Sequence, residues 1–449
     1  MRSRNRYTLL TGAIILMLSG LLLLGCEGER QVPEADSGND NGDPEPVELA
    51  DWVPSTRAED LPDGTYRGVF GDGGDDQVNV QFSVEDNEMT AASFRHLWYG
   101  GTDYLETDDE TMQGIAEQHE AALESLIGED LRVSLGQLYE PGNVLGDEYD
   151  LDGFTGATIR GNKIIYAIRD GLNRGIYRFD NGAPEHYYPV AASSFQDGTY
   201  RGTFSDGGDM QVNVQFTLEG NEFTNVRFRH LWYGGDDYLD ADDDPIAGLR
   251  EQHEVLLESL VGEDVRTALR GLYEPGDIVG DEHDVDSFTG ATLRSSKVIS
   301  AIRDGLNRGV YGFSNGVPAG YRNLAEESFE DGRYRGTFSD GGEMQVNVQF
   351  DLENNVVSNT SFRELAYRGT DYLDADDDPV AGMAQQHIAA LESLEGQDIR
   401  GNLASLYEPG DILGDEYDVD GFTGATIRGT KIRSAIRDAL NSGPYTLAD

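Results

Sequence analysis

The chain has 449 residues, and its 84 acidic residues outnumber 33 basic ones to give a net charge of −51. Phosphate backbones would be repelled by such a surface, so nucleic acid is excluded as a partner; the bland reading of the charge is a highly hydrated surface suited to saline surroundings. A single cysteine, Cys26, leaves no disulfide, zinc cluster or thiol nucleophile to the folded part, so any redox chemistry must come from a bound cofactor.

At the start of the chain, Arg2, Arg4 and Arg6 precede an apolar run from Leu9 to Leu24 that ends Leu23-Leu24-Gly25-Cys26. A basic start, an apolar stretch and a small residue before the cut site make residues 1–25 a secretory signal. The Leu-x-Gly-Cys ending resembles the bacterial lipobox, which implies cleavage before Cys26 and lipidation of that cysteine. The alternative is an uncleaved anchor, since the run is just short of a membrane span. Both readings attach the protein to a cell membrane and place its bulk outside the cytoplasm. Residues 26–60 are rich in Glu, Asp, Pro, Gly, Asn and Ser, and read as a disordered acidic tether.

The remainder is one unit written three times, over 61–190, 195–324 and 329–449. Each copy opens with Asp-Gly and a tyrosine, at Asp63 to Tyr66, Asp197 to Tyr200 and Asp331 to Tyr334. A Gly-rich turn leads to the alternating Val78-Asn79-Val80-Gln81-Phe82, a strand with one buried face. The turn at Glu85-Asp86-Asn87 returns the chain through Ala91 to Trp98, an antiparallel meander. Apolar spacing becomes helical from Gln118-His119 to Leu126, a shorter helix is expected over Asp130 to Leu138, and Leu138-Tyr139-Glu140-Pro141-Gly142 breaks the chain. This order of elements predicts α+β domains, each a small antiparallel sheet with packed helices. The short connections, Asn181 to Ala192 and Asn315 to Asn323, favour a compact row of domains.

An acidic loop then leads into Asp-x-Phe-Thr-Gly-Ala-Thr, at Asp152 to Thr158, Asp286 to Thr292 and Asp420 to Thr426, with the final threonines 134 residues apart both times. From Thr158 through Arg169 there is no acid, and the windows from Thr292 and Thr426 are acid-free too. All three lysines of the chain, Lys163, Lys297 and Lys431, lie in these windows. Apolar residues at Ile164, Ala167, Ile168 and Leu172 recur at helical spacing, so a helix begins just after each Gly-Ala-Thr. A helix start normally prefers acids, because its free N–H groups present partial positive charge. Here the first turns carry Arg160 and Lys163, Arg294 and Lys297, Arg428 and Lys431, a cost unless an anion sits among them. A phosphate at the helix N-terminus is the natural candidate, with Gly156 and Ala157 small enough to let it approach. The alternative is an ordinary helix cap by Thr155 or Thr158.

Asp-x-x-Thr-Gly-Ala-Thr followed by a basic helix start resembles the attachment motif of FMN-binding domains, the family containing the covalent-flavin subunits of sodium-pumping quinone reductases and related electron-transport complexes. The resemblance extends to the opening Asp-Gly-Thr-Tyr and the strands after it. Three copies behind a lipoprotein signal resemble multi-flavin surface lipoproteins of extracellular electron transfer. The resemblance implies up to three covalent FMN groups, joined by phosphoester bonds to Thr158, Thr292 and Thr426. Thr155, Gly156 and Ala157, with Thr289, Gly290, Ala291, Thr423, Gly424 and Ala425, would surround the attachment points. It also implies loading by an FAD-dependent flavin transferase, whose recognition signal includes Asp152, Asp286 and Asp420.

His119, His253 and His387 are one per unit, a poor metal site, and read better as helix-packing or hydrogen-bonding histidines. His96 and His230 are matched by Glu364, and Trp98 and Trp232 by Ala366; they line either the flavin ring or an edge-strand aromatic patch. Segments such as Glu148 to Gly153 resemble the start of a calcium loop, but position twelve falls on Ile159, not on glutamate, which leaves at most a looser calcium site that includes Asp242-Asp243-Asp244. The reading is a membrane-anchored flavoprotein electron carrier, more a carrier than a substrate-specific enzyme. It would accept electrons from a membrane dehydrogenase or quinol. The alternatives are an acidic, calcium-dependent binding or adhesion repeat without flavin, and a flavin-dependent terminal reductase.

Overall fold

The structure, a computed structural model, describes residues 60–140, 145, 161–190, 194–242, 246–279, 295–318, 321, 324, 328–376, 379–411, 413 and 429–448. Its architecture is α+β: three units, each an antiparallel sheet packed against helices. The first runs β1 (Gly64–Asp72), β2 (Asp75–Glu85), β3 (Glu88–Tyr99), β4 (Thr102–Asp103), α1 (Glu110–Glu124), α2 (Leu131–Ser134) and α3 (Gly161–Arg174). The second runs β5 (Gly198–Asp206), β6 (Asp209–Glu219), β7 (Glu222–Tyr233), β8 (Asp236–Asp237), α4 (Ile246–Glu258), α5 (Val265–Gly271), α6 (Gly276–Val279) and α7 (Ser295–Arg308). The third runs β9 (Gly332–Asp340), β10 (Glu343–Glu353), β11 (Val356–Tyr367), β12 (Thr370–Asp371), α8 (Val380–Glu392), α9 (Ile399–Asn402), α10 (Gly429–Ser442) and β13 (Thr446–Leu447), the last pairing with β9.

Val78, Val80, Phe82 and Val84 alternate inward along β2, and the Phe82 ring stacks on Tyr66 at 5.3 Å. The opening Asp63 fixes the next turn by accepting a hydrogen bond from Asp86 N at 2.9 Å, and Asp197 and Asp331 repeat the contact at Gly220 N and Asn354 N. The recurring helix α3 lies directly on β1 because Gly68 has no side chain: a Cβ there would stand 1.9 Å from the Ala167 carbonyl oxygen. Gly202 and Gly336 serve the same close approach in the other units.

The repeats form a closed ring, not the expected row. β1, β5 and β9 each end on a buried aspartate that takes two arginines from the repeat before it in cyclic order. Arg67 and Arg95 bind Asp206, with N–O distances of 2.8 and 3.0 Å to Oδ2. Arg201 and Arg229 bind Asp340 at 3.0 and 2.8 Å. Arg335 and Arg363 of the third repeat reach back to Asp72 of the first at 3.0 and 2.8 Å. Around the clamps, Tyr177 stacks on Phe204, Tyr311 on Phe338 and Tyr445 on Phe70 at 5.7–5.8 Å. The tyrosines of the Leu-Tyr-Glu-Pro-Gly stretch donate across the same boundaries, Tyr139 to Pro444 O, Tyr273 to Ile176 O and Tyr407 to Val310 O. The connections fold onto the joints instead of spanning a gap: Phe179 meets Tyr187 and Tyr273 at 4.8 and 5.1 Å, and Phe313 meets Tyr321 and Tyr407 at 5.0 Å each.

Ring closure also buries what the alternation places outward. Asn79, Asn213 and Asn347 are at most 2% exposed, and bond to Gly208 N, Ser339 O and Asp72 Oδ1 of the adjoining repeat. At the centre the C-terminal ends of α3, α7 and α10 meet in a cyclic set of bonds at 2.8 Å each. Asn173 donates to Asn441 O, Asn441 to Asn307 O and Asn307 to Asn173 O.

Breaking a largely buried ion pair by removing one partner leaves the other charge uncompensated, whereas exposed pairs contribute little. Asp206→Ala is therefore expected to lower stability by roughly 2–3 kcal/mol, discounted from the fully buried case because Arg95 is partly exposed. Asp351→Ala, which breaks the exposed pair with Arg333, is expected to cost less than about 1 kcal/mol. Denaturant unfolding midpoints of the two variants check the difference, and equal costs would remove the clamp from its central place.

Candidate cofactor-binding junctions

The residues that the sequence singles out divide between the junctions and segments outside the described residues. Thr158, Thr292 and Thr426 lie outside them, as do Thr155–Ala157, Thr289–Ala291, Thr423–Ala425, Arg160, Arg294, Arg428, the motif aspartates, Asp243, Asp244 and Cys26. The three helices that follow the motifs are described from Gly161, Ser295 and Gly429, and none carries an acid in its first turn.

The lysines on these helices are almost fully buried, at 2–3% exposure, and each faces a joint between two repeats. Lys163 Nζ donates to Gln77 Oε1 at 2.5 Å, Lys297 to Gln211 and Lys431 to Gln345. Gln77 in turn donates to the Asp72 carbonyl at 2.9 Å, which ties the lysine to the clamp. Lys297 and Lys431 stand 3.9 Å from the carboxylates of Asp206 and Asp340. At the joint between the third and first repeats this assembly lines an open cavity of about 400 Å³, with Lys163, Arg335, Arg363, Asp72, Tyr99 and Tyr445 in its wall. Arg335 lies over the Tyr445 ring at 3.9 Å, and Lys163 Nζ is 5.4 Å from the Tyr99 ring centre.

The electrostatics of the joints follow from burial and pairing. Burial pushes the Asp340 carboxyl up, but Arg229, Arg201 and Lys431 outweigh it and hold it below the usual carboxylate range. The hydrogen bond to Asp72 raises Arg363, whereas burial lowers Arg335. In a strongly anionic chain, each joint gathers two arginines and a lysine around one buried aspartate.

His96 and His230 pack on the turn of the adjoining repeat, over Gly208 and Gly342, while their rings stack on Trp98 and Trp232 at 5.8 and 6.0 Å. Glu364 takes that place against Gly74. His119, His253 and His387 are buried helix-packing residues whose Nδ1 atoms lie 2.5–2.6 Å from the carbonyl four residues earlier.

A second cluster lies where the central helices meet. Asp170, Asp304 and Asp438 bring carboxylate oxygens within 4.8 Å of one another, and they are the one group among the described residues spaced to hold a metal ion. Their oxygens are already engaged. Val69, Thr203 and Thr337 donate backbone N–H bonds to them at 2.8–2.9 Å. Arg174 pairs with Asp170 at 2.6 Å, and Arg308 bridges Asp304 and Asp438 at 2.9 Å each. The third repeat has Ser442 where the others have these arginines, and Tyr166 supplies a donor to Asp438 at 2.7 Å.

Sequence reasoning missed Arg67, Arg95, Asp72, Gln77 and their equivalents. The signal was present, since each of these four positions holds the same residue in all three units. Comparison with family models, with curated proteins and with solved structures yields no match. Among the described residues no helix is long and apolar enough to cross a membrane.

With three carboxylates and two arginines, burial pushes Asp170 up to about 6 despite Arg174, and Asp76, which faces Ser205 and Arg174, is likewise pushed up to about 6 by burial. The folded chain keeps the Asp170 proton to about pH 6, whereas the unfolded chain releases it near 3.8. The folded state therefore binds more protons between those values, and this contribution to stability falls as pH rises from about 4 to about 6. Asp170→Asn is expected to remove a part of that slope on the order of 3 kcal/mol. Unfolding midpoints of wild type and variant across pH 4 to 8 check it; identical pH dependence would contradict it.

Proposed function

We propose that the protein is a membrane-anchored, extracytoplasmic electron carrier, lipidated at Cys26, with FMN esterified through its phosphate to Thr158, Thr292 and Thr426. The observation that carries this reading is the junction chemistry beside each motif. Immediately after every Thr-Gly-Ala-Thr comes a helix with no acid in its first turn, whose lysine lies in a joint with two arginines. That donor set suits the phosphate or the electron-rich ring of a flavin nucleotide. The cavity of about 400 Å³ at one joint falls in the range of small-molecule sites, and Tyr99 and Tyr445 give it aromatic walls.

The bound flavin supplies the redox chemistry, and the protein supplies attachment, orientation and charge. The helix N-terminus and Arg160, Arg294 or Arg428 would neutralise the phosphate. Lys163, Lys297 and Lys431, fixed by their glutamine partners, would hold positive charge at a set position beside the cofactor. The closed ring places these three lysines at three equivalent joints, so no repeat is terminal in the way a bead on a string would be. Loading requires an FAD-dependent flavin transferase, and a membrane dehydrogenase or quinol is the proposed electron donor.

Intact mass of the chain produced with a flavin transferase tests the reading. The wild type is expected to be yellow and to carry three FMN increments, with one lost in each of Thr158→Val, Thr292→Val and Thr426→Val. A colourless protein of unmodified mass, folded as judged by circular dichroism, would overturn it.

A further inference from the structure

We propose that the joint between the third and first repeats is a salt-dependent gate in the ring, closed in salt and opened by repulsion between carboxylates at low ionic strength. The gate is a property of the fold and does not require flavin. The arginine clamp is common to all three joints, but three other contacts set this joint apart from the two that agree with each other.

The first is at the central helices. Arg174 of the first repeat reaches Asp304 and the Thr203 carbonyl of the second, and Arg308 of the second reaches Asp438 and the Thr337 carbonyl of the third. Ser442 stands where the third repeat would send an arginine to the first, and a neutral hydroxyl crosses there instead, from Tyr166 to Asp438 at 2.7 Å. The second is in the connections. The segments that lead from one repeat to the next lay Tyr187 on Phe179 and Tyr273, and Tyr321 on Phe313 and Tyr407. The chain does not run from the third repeat into the first, and Leu447, at the position of Phe179 and Phe313, is 43% exposed.

The third is the cover over the neighbour's glycine turn. At the other two joints a histidine stacked on a tryptophan lies over that turn, and burial lowers His96 and His230, which favours their neutral form. Here Glu364 faces Gly74, and Ala366 in place of a tryptophan leaves a cavity of about 310 Å³ lined also by Glu343, Met344 and Asp371. Burial, with Asp371, Glu343 and Asp75 around it, pushes the Glu364 carboxyl above its ordinary range. Glu343 lies on β10, Asp371 on β12 and Asp75 on the first repeat, so acids converge from both sides of the joint. The cations of β11 do not offset them: Arg363 is bound to Asp72, and Arg368 lies over the Tyr367 ring at 5.2 Å. Salt screens such repulsion, with a Debye length of about 10 Å at 0.1 M and about 3 Å at 1 M, so the closed ring is the saline form.

Spin-label distances in the full chain carrying Cys26→Ser test the gate. The exposed, equivalent positions Thr90, Thr224 and Ser358 are changed to cysteine two at a time and labelled, so that each pair reports one joint. At about 2 M salt the three pairs are expected to give the same distance. At about 0.05 M a second, longer distance is expected between positions 90 and 358, populated about fivefold more than in either other pair. Glu364→Gln is expected to cut that population about fivefold. Glu364→His with Ala366→Trp, which restores the residues of the other joints, is expected to abolish it. A ring closed in all three pairs at low salt, opening first between another pair, or an opening between 90 and 358 that neither salt nor either variant changes would overturn the gate.

Discussion

Two arginines from one repeat close on a single buried aspartate of the next, and the architecture depends on this contact. A carboxylate as buried as Asp206, at 5% exposure, needs donors for both oxygens, and Arg67 with Arg95 supplies them across the repeat boundary. Three such contacts in cyclic order turn a tandem array into a ring, since the arginines of the last copy have Asp72 of the first copy to bind. A chain of beads would leave one aspartate and one pair of arginines unmatched at its ends. Closure instead satisfies all three sets, and this is the physical reason that the short connections lead to a ring.

Closure determines what the central helices must look like. All fourteen residues of α3 are buried, including Lys163, Arg169, Asp170 and Arg174, because the sheet and the turn through Leu138 of its own repeat and the central helices of the neighbouring repeats surround it. The polar face of the helix is therefore an inter-repeat interface, closed by the asparagine ring and by a carboxylate triad served by two arginines and a tyrosine. One departure from threefold identity sits at that triad, where Ser442 takes the place of an arginine and Tyr166 the place of a serine. The C-terminal ends of these helices are spent on holding the ring together. Their first turns carry the lysines, which face the joints.

The local structure was legible in the sequence and the assembly was not. Alternation at Val78 to Phe82, the meander, the helix after each motif and the packing role of His119 follow from periodicity and turn chemistry within one unit. The helix expected over Asp130 to Leu138 is α2 followed by a tighter turn through Tyr139, with Asp130 as its cap. Asn79 and the charged face of α3 defeated the rule that polar residues face water, because that rule knows nothing of a second copy of the unit. His96 and His230, open at the sequence level between a flavin ring and an edge-strand aromatic patch, seal a neighbour's glycine turn. The clamp residues were readable only as identities shared by all three copies, and shared identity among duplicated units does not by itself reveal a contact between them.

A crystal structure of the chain matured with a flavin transferase tests the account most directly, because it reads ring closure and cofactor placement together. The account predicts continuous density from the Thr158, Thr292 and Thr426 hydroxyl oxygens into phosphate, in a chain whose three repeats close through the clamps at Asp72, Asp206 and Asp340. Bare threonines with water or acidic side chains beyond them, or repeats that do not close through the clamps, would contradict it.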